Sequence, residues 1–237
     1  DGEQLGMDNV PDFLSVSYSS TDYIGHAYGP YSKEIQDTYV RLDLELARLM
    51  KTLDEKIGEG NWTMFLTADH AVADTPMYTK ENKQDVDYFN SAEVGKVLST
   101  SLNEKFGSEN LIENLSNYQI FLNKDEIKKL NIDINELKEF IIMELKVERG
   151  VTGVYDVSEL RAYGSDHMDV RVITAGLNSY LSGDIVLSIS PGWLGQWSKK
   201  GGSSHGSGYS YDTHVPLLFY GWGIKQGSSV SYHPITD

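Results

Sequence analysis

The chain has 237 residues, 40% of them hydrophobic and 23% charged, which is room and composition for one large α/β domain or one domain with an insertion. It holds 20 Lys and Arg against 35 Asp and Glu, a net charge of −15, so a nucleic-acid scaffold is a poor partner because phosphate contacts need a basic face. There is no cysteine, which excludes disulfides, thiol nucleophiles and Cys-ligated zinc.

No apolar run approaches the ~18 residues of a membrane span. The chain begins DGEQLGMDNV, without initiator Met, basic n-region or apolar h-region, and stops at HPITD. It reads as a piece of a longer protein, so the lack of a signal peptide carries no information about export.

In chain order, DFLSVSY (12–18) is expected to be a strand, followed by a polar loop, SSTDYIGHAYGP. Pro30 then opens a long helix, with Ile35, Tyr39, Leu42, Leu46, Leu49 and Leu53 forming one apolar stripe and Gly58 and Gly60 ending it. WTMFLTA (62–68) is a second strand. This βαβ order predicts parallel strands and a right-handed crossover.

Residues 74–90 are polar and loop-like, and 91–106 read as a helix. LIENL and YQIFL are short strands, 124–147 is helical, and the stretch closes in VTGVYDVSEL. DIVLSIS (184–190) and HVPLLFY (214–220) are further strands, separated by the Gly/Ser-rich GGSSHGSGYS. The division expected is a metal-binding frame from 1–84 and 181–237, with an α+β insertion or cap over 85–180.

Two loops leave buried strands. One carries Asp22 and His26, the other Asp69 and His70, and ligands of open α/β sheets sit outside the carboxyl ends of strands. His214, in YDTHVP, adds a third imidazole. Carboxylate oxygen with imidazole nitrogen is a zinc ligand set. Taken singly, Asp22 also reads as an Asx-turn residue, Asp69 and His70 as helix caps, and His214 as a core histidine. The set as a whole points to a metal. His205, in GGSSHGSG, reads either as a surface-loop histidine or as a substrate contact, since glycines admit close approach. His167 and His233 read as structural or exposed, and Trp193 and Trp197 as core anchors or pocket walls.

SSTDYIGHAYGP, a long helix and then MFLTADHA resemble the alkaline phosphatase superfamily, in particular phosphate-irrepressible bacterial alkaline phosphatases and nucleotide pyrophosphatase/phosphodiesterases. YDTHVPLLFYGWG resembles the late His motif of the phosphatase branch. The likeness covers about 11–80 and 180–237. It implies a three-layer α/β sandwich with a mainly parallel sheet.

It also implies two zinc ions in the full-length protein. One would be held by Asp22, His26 and His214, the other by Asp69 and His70 with an upstream Asp and a Thr or Ser nucleophile. This chain has neither of those last two, so it contains no catalytic nucleophile and is expected to hold one zinc or none, and to be inactive alone. The implied reaction is two-metal hydrolysis of a phosphate monoester through a covalent phospho-enzyme. A small phosphate ester would be the partner, and the periplasm or exterior the location. Bound cations would answer the charge problem of an acidic protein that must bind an anion. Two rival readings stand beside this one: a phosphodiesterase or nucleotide pyrophosphatase on the same frame, and a non-catalytic metal-binding domain.

Overall fold

The computed structural model describes residues 3–160, 168–178, 180–196 and 202–234; His167 and Trp197 lie outside them. A strand is expected over 12–18, but the segment joins no ladder among the described residues, and Phe13, Leu14 and Val16 are exposed. Phe13 stacks on Phe65 with ring centroids 6.3 Å apart, so the segment runs beside the next strand without pairing to it.

Helix α1 (Ser20–Tyr28) replaces the expected polar loop. Asp22 lies in its first turn and His26 in its last, the ends at which the helix dipole favours an anion and a cation respectively. Gly29, at φ 82°, ends it by returning its amide to the Gly25 carbonyl. Helix α2 (Lys33–Lys56) starts where Ser32 Oγ accepts the Ile35 amide. Of its apolar stripe only Ile35 is buried, and Tyr39 is 57% exposed.

Strand β1 (Thr63–Leu66) follows, then the short α3 (Pro76–Glu81) and β2 (Tyr88–Phe89). Asn90 caps α4 (Ser91–Phe106) through the Glu93 amide, and Gly107 closes it in the left-handed region. Strands β3 (Ile112–Ser116) and β4 (Gln119–Leu122) form a hairpin. Its turn residues, Asn117 and Tyr118, have φ 50° and 59°, the mirror-image turn that matches strand twist.

The helix expected over 124–147 is two helices, α5 (Lys124–Lys129) and α6 (Ile134–Lys146). Asn131 adopts φ 52°, and Asp133 caps the second helix through the Asn135 and Glu136 amides. Strand β5 (Val151–Asp156), α7 (Val157–Leu160) and α8 (Met168–Gly176) lead to β6 (Ile185–Ile189). Strand β7 (Leu194–Gly195), α9 (Ser210–Thr213) and β8 (Leu218–Gly221) complete the order.

A four-stranded antiparallel sheet has the order β3-β4-β6-β5, and all five residues of β6 are buried. Leu98, Leu102, Leu137 and Ile141 of α4 and α6 belong to the same core cluster as Ile120 and Ile185 of this sheet. Behind that cluster Lys138, 8% exposed, places its ammonium 3.0 and 3.1 Å from the Asp156 carboxylate oxygens. Two smaller pairs connect distant parts of the chain. β1 runs antiparallel to β8, with Thr63 opposite Gly221, and β2 runs parallel to β7. Among the described residues no helix is long and apolar enough to cross a membrane.

Candidate metal centre

Asp22 and His26 are four residues apart on α1, which places both side chains on one helix face. The Asp22 Oδ1 to His26 Nε2 distance is 3.3 Å. Two other imidazoles approach the same oxygen: His70 Nε2 at 3.8 Å and His205 Nε2 at 3.6 Å. Asp69 adds its Oδ2 at 3.7 Å from His70 Nε2, with a side chain that is 90% exposed. One carboxylate oxygen thus faces three ring nitrogens.

In His26 and His70 the other ring nitrogen is already engaged. His26 Nδ1 lies 2.9 Å from the Ser203 carbonyl, and His70 Nδ1 lies 2.9 Å from the Ala71 carbonyl. A carbonyl can only accept, so each Nδ1 carries the proton. When these imidazoles are neutral, each Nε2 then presents a lone pair toward Asp22. Fixing the tautomer through an outer hydrogen bond is how histidines are prepared as metal ligands. His205 is held neutral over a wider pH range than an ordinary histidine. Burial lowers its pKa first, and the neighbouring His70 and His26 lower it further.

Asp22, His26 and His205 form a group whose ligand atoms all lie within 4.8 Å of one another. Oxygen and nitrogen donors at such mutual distances fit a zinc-sized cation. His70 stacks on His205, ring centroids 3.3 Å apart and planes 13° apart.

His214 stands elsewhere. It is the exposed C-cap of α9, with its amide bonded to the Ser210 carbonyl at 3.0 Å, and among the described residues no carboxylate–imidazole pair joins it to Asp22. The sequence points to His214 because it begins an apolar strand in a stretch that resembles the late His motif, and reads His205 as a surface-loop residue or a substrate contact. The loop carrying His205 is in fact stitched to both ligand-bearing segments. The Ser203 amide donates to the His26 carbonyl at 3.2 Å, and the Ala73 amide donates to the Ser204 carbonyl at 3.3 Å. Ser203 Oγ also bonds the Ala73 carbonyl. Gly202 has φ 112°, and a Cβ there would sit 2.3 Å from the His26 carbonyl oxygen. The glycines of GGSSHGSG were the available signal, since one of them permits this close backbone approach.

A cleft of about 670 Å³ opens beside His205. Asn90, Ser91, Asn114, Asn117 and Gln196 contribute to its walls.

A family model described as type I phosphodiesterase / nucleotide pyrophosphatase matches residues 3–210. Alkaline phosphatase PafA of Elizabethkingia meningoseptica is 39% identical over 238 residues, covering 100% of this chain and 43% of that protein. Alkaline phosphatase PhoV of Synechococcus elongatus is 33% identical over 241 residues, covering 99% of this chain and 42% of that protein. The crystal structure of wild-type PafA superposes with a TM-score of 0.92 at 38% identity, covering 100% of this chain and 45% of that one. The fold is therefore alkaline-phosphatase-like, and the chain spans less than half the length of these relatives.

Proposed function

The chain belongs to the type I phosphodiesterase / nucleotide pyrophosphatase family, and from this we propose that it supplies most of the metal centre of a zinc-dependent phosphoric ester hydrolase acting on monoesters. The observation that carries the reading is the ring of His26, His70 and His205 Nε2 atoms around Asp22 Oδ1 at 3.3–3.8 Å. Asp22, His26 and His205 would hold one ion, with His205 taking the place first given to His214. Asp69 and His70 would contribute to a second. A bound zinc supplies Lewis acidity and positive charge to an otherwise acidic protein.

The chain's own residues do the rest. The Ser203 and Ala71 carbonyls keep the His26 and His70 protons on Nδ1, so each Nε2 stays available as a donor. Burial favours the neutral form of His205, the form competent as a ligand. The cleft beside His205 offers room for the alcohol portion of an ester. The strand and helix elements over 85–180 would act as the cap of this site, and 1–84 with 181–237 as the metal-binding frame. The whole protein would work in the periplasm or outside the cell, on small phosphate esters.

A diesterase reading stays open because the family description names diesters and pyrophosphates. A full-length protein containing this chain should hydrolyse an aryl phosphate monoester, lose activity to a chelator and regain it with zinc. Faster turnover of an aryl diester would move the assignment to the diesterase branch, and no turnover of either would leave a metal-binding domain.

A further inference from the structure

Asp212 is only 3% exposed, yet it carries a carboxylate that the reading above does not use. Its Oδ2 accepts the Ser207 amide at 2.8 Å and the Ser207 hydroxyl at 2.6 Å. Its main-chain carbonyl accepts the Ala71 amide at 2.8 Å. Its Oδ1 is buried and makes no hydrogen bond of good geometry, with the Gly206 amide close enough to the carboxylate to favour its charged form. One residue therefore ties down the chain two positions after His205 and the chain one position after His70. Leaving a buried carboxylate oxygen without a hydrogen bond of good geometry costs free energy, so the residue type is not explained by local stability alone. The two loops it joins present the two histidines whose rings stack 3.3 Å apart over Asp22.

We propose that Asp212 is a positioning residue of the metal centre, whose side chain fixes the 205–207 loop and so sets where His205 Nε2 points. This rests on the metal reading above for its consequence, though not for its geometry. Without the carboxylate, Ser207 loses the acceptor for its amide and its hydroxyl together, and the longer 3.3 Å bond that its Oγ accepts from the Tyr209 amide is left to hold it. His205 would then sample orientations away from Asp22, and a cation would have to order the loop on binding.

The test uses the 237-residue chain with Asp212→Ala and Asp212→Asn. Two quantities are read: the imidazole nitrogen resonances of His205 in metal-free protein, and zinc affinity by calorimetric titration. Asp212→Ala should shift the His205 resonances and weaken zinc binding by about tenfold or more, the usual scale for an outer-sphere partner of a ligand. Asp212→Asn keeps an oxygen for Ser207, so it should restore the His205 resonances and most of the affinity. If Asp212→Ala does not fold, Ser207→Ala removes the hydroxyl bond to Asp212 together with the acceptor of the Tyr209 amide, keeps the Ser207 amide bond to Asp212, and should shift the same resonances to a smaller extent. Unchanged His205 resonances in the alanine variant that folds would overturn the proposal. So would Asp212→Asn proving as harmful as Asp212→Ala, because charge rather than position would then be responsible. If the wild-type chain binds no zinc, the metal reading fails by itself, and the metal-free resonances still decide the positioning role.

Discussion

His70 and His205 come from segments far apart in the chain, yet their rings stack at 3.3 Å and both direct Nε2 toward Asp22 Oδ1. Two imidazolium rings in that arrangement would repel each other, whereas two neutral rings sharing a cation would not. The arrangement therefore favours the neutral, ligand-ready form of His205. The same relation gives the site its pH dependence.

Burial and the two neighbouring histidines lower the pKa of His205 in the folded chain. The folded form thus binds fewer protons than the unfolded form below the ordinary histidine pKa of about 6.5. Stability of the metal-free chain should be flat above that value and fall as pH drops from it through the lowered folded value. Thermal unfolding at pH 8, 6 and 5 checks the sign. His205→Ala should flatten the decline over this window, and a wild-type chain that gains stability on acidification across it would contradict the assignment.

Gly202→Ala tests the close approach of the His205 loop to α1. The added Cβ would meet the His26 carbonyl oxygen at 2.3 Å, in a backbone conformation of φ 112° that L-residues avoid. The loop must move, taking with it the Ser203 bonds to His26. A destabilisation of about 1–3 kcal/mol is expected from the strained backbone, read by urea denaturation, together with weaker zinc binding. Gly227→Ala, where nothing lies within 4 Å of the added carbon, is the control and should be nearly silent.

The pair of Lys138 and Asp156 predicts a stability effect away from the site. Removing one partner of a mostly buried ion pair leaves the other charge uncompensated, so Lys138→Ala should cost about 3 kcal/mol. Lys138→Met, which preserves the apolar stem, leaves the same carboxylate unpaired and should rescue only the packing part. Burial pushes the Asp156 carboxyl up, but the Ser158 and Lys138 hydrogen bonds outweigh it and the net shift is downward. The stability it contributes is therefore present above the ordinary Asp value of about 3.9 and is lost as pH falls through the lowered folded value. Equal acid sensitivity of wild type and Lys138→Ala over that range would count against the pair.

Much of the architecture was legible because it is local. The α4 boundaries follow from a capping Asn90 and a terminating Gly107, and the α2 stripe from its apolar spacing. Asp22 and His26 were legible as a pair, although their spacing of four is helical and should have indicated a helix rather than a loop. Residues 12–18 have the composition of a strand but no ladder partner among the described residues, and pairing is not a property of one segment. His205 falls outside the metal set read from the sequence for a related reason. Ser203 and Gly202 bring it to His26 across a separation of more than 170 residues, which no periodicity reports.

The central claim is that Asp22, His26 and His205 hold a cation and that His214 does not. Calorimetric titration of zinc into the 237-residue chain, and into its His205→Ala and His214→Ala variants, addresses it directly. About one zinc per chain is expected, with affinity reduced by about tenfold or more in His205→Ala, because three protein ligands become two. His214→Ala should bind as the wild type does. A larger loss from His214→Ala than from His205→Ala would contradict the claim.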